Sequence, residues 1–226
     1  MDLIEAIRTR RSIRAFKPDP VPKKTIEEIL DIARWAPSGG DVQPWYFVVL
    51  SGKVLENVKA RLVEKAKTWN GTTYPDAKPD MPRTGGYPPL LAPRWQKQSA
   101  TEDAVLYPPG TEDIEAKKLE HREHMLRFFN APTVIIVCAE DRGANAIISI
   151  GAICQTICLA AVKYGLGTCL MGMTVLWPEI FRELLNIPKD RTIITSIAIG
   201  HPDLKAPINN FQRSREPLDN LVEWHI

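Results

Sequence analysis

The chain has 226 residues, 44% of them hydrophobic and 25% charged, with 29 basic side chains against 27 acidic ones. Such values describe a globular chain able to bury a core, and one domain over residues 1–226 is expected. A net charge of +2 argues against nucleic acid or an anionic membrane surface as the main partner, so any cations that matter must be clustered locally.

Asp2 precedes Leu3, Ile4 and Ile7 at helical spacing, which predicts a short opening helix. Residues 8–19 are basic and irregular. Pro22 suits a first helical turn, and Ile26, Ile29, Leu30 and Ala33 form one apolar stripe that ends before Pro37. Residues 45–50, WYFVVL, are aromatic and β-branched and read as a strand. Leu55, Val58, Leu62 and Ala66 mark another amphipathic helix.

From residue 68 to 111 the periodicity is lost. This stretch holds eight of the 19 prolines, with Trp69, Tyr74, Tyr87, Trp95 and Tyr107 scattered along it. A structureless insert of this length reads as a functional lid or a disordered segment. Helical spacing returns over 114–129, TVIIVCA at 133–139 reads as a buried strand, and 144–164 as a helix apolar nearly all round. Asn145, Ser149, Gln155 and Thr156 within that helix favour burial, by the fold or by a partner subunit, over a bilayer span. A strand at 168–173, a helix opened by Pro178, and a strand at 192–199 complete the alternation. The class is therefore α/β or α+β around one mixed sheet. No internal repeat is evident.

Cys138, Cys154, Cys158 and Cys169 all lie in apolar runs without a C-x-x-C pair, which reads as reduced core thiols of a cytoplasmic protein. The start, MDLIEAIRTRRS, lacks the apolar stretch of a signal peptide. There is no G-x-G-x-x-G after a strand, no G-x-x-x-x-G-K-[ST] and no G-x-S-x-G. His121 and His124, in EHREH, have the wrong spacing for a metal pair on a helix. No metal site is expected.

Three local units could carry chemistry. Arg8, Arg10, Arg11 and Arg14 surround Ser12, and guanidinium forks with a hydroxyl suit a phosphate dianion through charge-assisted, bidentate bonds. A solvated basic turn would look the same. Arg213 and Arg215, in FQRSREP, form a second pair near the other end of the chain. Ala36-Pro37-Ser38-Gly39-Gly40-Asp41-Val42-Gln43 runs from a helix end into a strand, with glycines that admit a flat ligand and polar groups for its edge. As a plain turn it would read no differently. Residues 165–172, GLGTCLMG, join a helix to a strand and could set the Gly172 N–H against a ligand face.

Taken in order, RTRRSIRAF at 8–16, APSGGDVQPWYFVV at 36–49, GLGTCLMG at 165–172, IAIGHPD at 197–203 and R-x-R-x-P-L-D at 213–219 resemble the FMN-dependent nitroreductase family. The resemblance spans residues 8 to 219 and covers the insert least. It implies an α+β fold with a central, mostly antiparallel sheet flanked by helices, in an intertwined homodimer with two FMN sites. Arg10, Arg11 and Ser12 would hold the FMN phosphate and ribityl end, with Arg213 and Arg215 closing on the phosphate. Arg14 would lie at the pyrimidine edge of the ring. Pro37, Ser38, Gly39 and Gln43 would come from the other subunit, while Leu170, Met171 and Gly172 would line the opposite face, with the Gly172 N–H toward N5. Asp41 departs from the asparagine more usual there.

The resemblance further implies a ping-pong oxidoreductase, in which NADH or NADPH gives hydride to the flavin and a small electron-poor acceptor, such as a nitroarene, takes its place. No side chain need act as acid or base, since the cofactor carries the chemistry. An enone reductase, a reductive dehalogenase, or a flavin store or sensor without turnover remain alternatives. Trp69, Tyr74, Tyr87 and Trp95 would make the insert an aromatic lid over the acceptor.

Overall fold

The computed structural model describes residues 2–82, 86–211 and 213–226. Its frame is a sheet of β1 (Trp45–Ser51), β2 (Thr133–Ala139), β3 (Gly167–Met171) and β4 (Thr192–Gly200), in the order β1-β2-β4-β3. Every strand pairing among the described residues is antiparallel. The mixed character expected of the sheet reduces to one parallel bridge, Ser12 to Thr168, outside the strands proper.

All seven residues of β2 are buried, which is why its sequence is apolar throughout. The two-residue period of a strand divides them between two cores. Val134, Ile136 and Cys138 face one layer, built on α3 (Gly52–Ala66), α5 (Ile114–Leu126) and α7 (Pro178–Leu185). Ile135, Val137 and Ala139 face the other, where α2 (Lys23–Ala33) packs on α6 (Ala144–Lys163). Each fully buried Ile or Val stabilises the fold by roughly 1.5–3 kcal/mol. A bulge between Val137 and Cys138 shifts the register against β4.

By length and composition α6 could cross a bilayer, yet half of its most apolar window is buried inside this chain. Cys154 and Cys158 lie in that core, and burial pushes the Cys154 thiol up to about 12. Cys138 and Cys169 are pushed up to about 11 for the same reason, so all four are inert core thiols. One side of α6 stays uncovered, with Ile148 71% exposed. The stripe Leu3, Ile4 and Ile7 of α1 (Leu3–Thr9) is exposed too.

The insert differs from expectation. Its second half forms α4 (Ala92–Leu106), with Pro93 in the first turn. No α4 residue is buried. Its helicity rests on good helix formers (Ala, Gln, Lys, Glu) rather than on an apolar stripe, so a search for periodicity passes over it. The first half is stapled to the body. Asp80 receives Arg182 at 2.6 Å and the Ile193 N–H at 2.8 Å, and Lys65 reaches Asp76 at 2.6 Å.

Trp69 and Tyr74 are not lid residues. The Tyr74 ring is 4.9 Å from that of Trp69 and 5.0 Å from that of Trp177, inside the α3–α5–α7 core. Aromatic area on a stapled segment is lost from water most readily into the nearest core. Tyr87 and Trp95 do stay exposed, as a tilted pair 6.0 Å apart.

Candidate anion and flavin site

The loop after α1 is positioned by close backbone packing. The Ile13 N–H donates to the Thr168 carbonyl at 2.9 Å, and a Cβ on Gly167 would fall 2.5 Å from Ile13 Cγ1. Glycine is therefore required for this extended segment to lie along β3. Gly165, at φ +67°, makes the turn from α6 into the strand. With Ile13 in the core, its neighbours Arg11, Ser12 and Arg14 are left at the surface of the sheet edge.

The two distant arginine clusters do converge. Arg213 donates to the Arg10 carbonyl at 2.6 Å and to the Arg8 carbonyl at 3.3 Å, and Arg11 donates to the Phe211 carbonyl at 2.6 Å. Arg8, Arg11, Arg213 and Arg215 line one cavity of about 590 Å³. Arg10 and Ser12 line another of about 290 Å³, with Gln155, Thr168 and Leu170. The Nε–H groups of Arg10 and Arg11 are buried without a partner among the described residues. Burial, then neighbouring Arg11, Arg215 and Arg10, lower the affinity of the Arg213 guanidinium for its proton. Orphaned donors among crowded cations fit a phosphate dianion, which would satisfy the donors and offset the repulsion.

Arg14 is held differently. Its N–H donates to Asn209 Oδ1 at 2.7 Å, and its carbonyl accepts from His124 Nε2 at 3.1 Å. Its guanidinium lies 5.7 Å from the centre of the Phe211 ring, which Arg11 also approaches at 5.6 Å. It pairs with Glu102 of α4 at 3.2 Å. Sequence reasoning missed Asn209, Phe211, His124 and Glu102. Phe211 stands beside the second arginine pair, but no local signal distinguishes the other three.

On β3 the side chains alternate. Leu170 faces out and is 51% exposed, while the Met171 side chain points into the core and can offer a ligand only its main chain. Gly172 follows at the edge, at φ −79°, where the strand turns into a 3-10 segment, Met173–Val175.

The turn at 36–43 lies elsewhere. Gly39 packs against the Asn145 side chain at the start of α6, whereas Gly151, Cys154, Gln155 and Cys158 further along it line the Arg10 cavity. Six to thirteen steps along the helix separate Asn145 from these residues, roughly 9–20 Å. Within one chain Pro37, Ser38, Gly39 and Gln43 line neither arginine cavity. The turn is organised by its own bonds: Gln43 N–H donates to Ser38 Oγ at 3.0 Å, and Gln43 Nε2 to Asp41 Oδ1 at 3.3 Å. Asp41 and Gln43 both adopt positive φ, of 54° and 49°, a strain that loops retain when their shape matters. Among the described residues no group of three or more His, Cys, Asp or Glu could hold a metal ion.

Two cores on one antiparallel sheet, with a cluster of arginines at its edge, define an α+β protein with cavities suited to an anionic group. Residues 7–201 match the model of the nitroreductase family, and the chain belongs to that family. It is 31% identical to 4-nitrobenzoate reductase of Nocardioides sp. strain LMS-CY, over 96% of this chain and 87% of that protein. It is 30% identical to chloronitrobenzene nitroreductase of Comamonas testosteroni, over 97% and 95%. The crystal structure of the FMN-dependent nitroreductase NfnB from Mycobacterium smegmatis in complex with NADPH superposes with a TM-score of 0.87, at 25% identity, over 99% of this chain and 97% of that one.

Proposed function

We infer that the protein is an FMN-dependent oxidoreductase that uses NADPH or NADH to reduce nitroaromatic or related electron-poor acceptors, and that it works as a homodimer. The observation that carries this reading is the meeting of Arg10, Arg11, Arg213 and Arg215, two of them with donors unpaired among the described residues, beside Ser12 and Thr168 at the edge of a nitroreductase fold. Bound FMN would supply the redox chemistry, taking hydride from the nicotinamide and delivering electrons to the acceptor.

The chain's own residues bind and orient. Arg10, Arg11 and Ser12 hold the phosphate end, with Arg213 bracing their main chain and Arg215 closing the cavity. Arg14 and Leu170 border the ring, and the Gly172 N–H is offered to N5. Pro37, Ser38, Gly39 and Gln43 complete the site from the partner subunit, which accounts for their absence from both arginine cavities within one chain. The uncovered Ile148, Leu3, Ile4 and Ile7 fit the same dimer. Asp41 braces Gln43 rather than reaching the ligand. Tyr87 and Trp95 are the aromatic pair left to cover a planar acceptor.

The test is direct. The purified protein should carry a flavin absorbance, and it should consume NADPH or NADH when given a nitroarene under anaerobic conditions. Retained flavin with no acceptor-dependent turnover would instead favour a store or sensor, and turnover confined to an enone or a halophenol would reassign the acceptor.

A further inference from the structure

Glu102 is an acid placed on the one site arginine that the phosphate end does not use. It projects from α4, a helix with no buried residue, and its carboxylate lies 3.2 Å from Arg14 Nε with both side chains about one-fifth exposed, at 19% and 22%. A second ion pair, Arg94 to Glu216 at 3.7 Å, ties the start of the same helix to the C-terminal segment. Since α4 has no fully buried residue, these ion pairs contribute to its orientation.

In the site proposed above Arg14 borders the flavin ring, beside the face on which an acceptor would stack. Ser12 bridges Thr168 in parallel, so the chain reaches Arg14 two residues on as β3 reaches its exposed Leu170. Asn209 and His124 hold the Arg14 main chain, and Phe211 supports its guanidinium from one side. A free guanidinium in that position would take a carboxylate through a bidentate, charge-assisted pair. Here Glu102 already occupies it, and an incoming aryl carboxylate would meet a like charge in a half-buried setting.

We propose that Glu102 is a specificity-determining residue, which by neutralising Arg14 makes the acceptor site select uncharged nitroarenes and reject those bearing a carboxylate. The inference rests on the acceptor site of the proposed function and names its substrate class. Discrimination here comes from a repulsive element as much as from an attractive one.

The experiment compares 4-nitrobenzamide with 4-nitrobenzoate, which differ in charge but hardly in shape, on the flavin-loaded protein and on Glu102→Gln, Glu102→Ala and Glu102→Asp. The wild-type chain should have the higher kcat/KM for the amide. In Glu102→Gln and Glu102→Ala the ratio should move toward the benzoate by about ten- to 100-fold, the range of one charged hydrogen bond, mainly through KM. Glu102→Asp, which keeps the carboxylate, should resemble wild type. A changed flavin potential would move both substrates together, so the ratio isolates the charge. An unchanged ratio in Glu102→Gln and Glu102→Ala, or a wild-type preference for the benzoate, overturns the proposal. If wild type reduces neither compound, the proposed function fails first and takes this inference with it.

Discussion

Arg213 donates from Nη1 to the carbonyl oxygen of Arg10 at 2.6 Å, so the C-terminal segment grips the main chain of the loop that follows α1. The bond leaves the Arg10 side chain free for the cavity beside Ser12 and Gln155.

Arg10→Ala and Arg215→Ala are expected to weaken FMN retention. Losing a charge-assisted contact in a partly buried site costs about 1.5–3 kcal/mol, or roughly ten- to 100-fold in affinity. Flavin content after dialysis measures this, with the exposed Lys53→Ala as control. Full occupancy in both arginine variants would remove the phosphate from this cluster.

Ile148→Glu should break the dimer and release flavin together. Ile148 is 71% exposed on an otherwise core-forming helix, and obligate interfaces typically bury more than about 2,000 Å². Light scattering with flavin absorbance reads both properties. A flavin-loaded monomer at low micromolar concentration would refute the two-chain site.

The two halves of the insert should respond oppositely to mutation. Tyr74→Ala empties a packed aromatic position between Trp69 and Trp177 and should cost about 3–5 kcal/mol of stability. Trp95→Ala lies at the surface and should change stability by no more than about 0.5 kcal/mol, while raising KM for planar acceptors. Urea unfolding and steady-state kinetics separate the two effects. Equal destabilisation by both variants would make the whole insert structural.

Acid should destabilise the fold through His121. Burial, aided by His124 and Arg14, depresses its imidazole to about 4 from the ordinary 6.5. The unfolded chain thus takes up this proton first, so the stabilising contribution is complete above pH 6.5 and is lost progressively as pH falls toward 4. The loss amounts to at most about 3 kcal/mol. His121→Phe should flatten that stretch of the stability profile; an unaltered slope would show that other groups carry it.

The sequence by itself determined the scaffold and the chemistry-bearing types. A continuous apolar run made β2 a strand buried on both faces, the helical stripe of Ile26, Ile29 and Ala33 placed α2 on the core, and arginines around Ser12 marked an anion site. These are local signals, set by the two-residue and 3.6-residue periods of the elements that bury them. Only the tertiary structure decided which of them meet. It brought Arg213 onto Arg10, drew Trp69 and Tyr74 into the core, left the Ser38 turn by the start of α6 and outside both arginine cavities, and set Glu102 of a stripeless helix against Arg14. Such contacts join residues far apart in the chain, and the forces that select them, packing against a shared sheet and pairing of isolated charges, leave no period in the sequence to read.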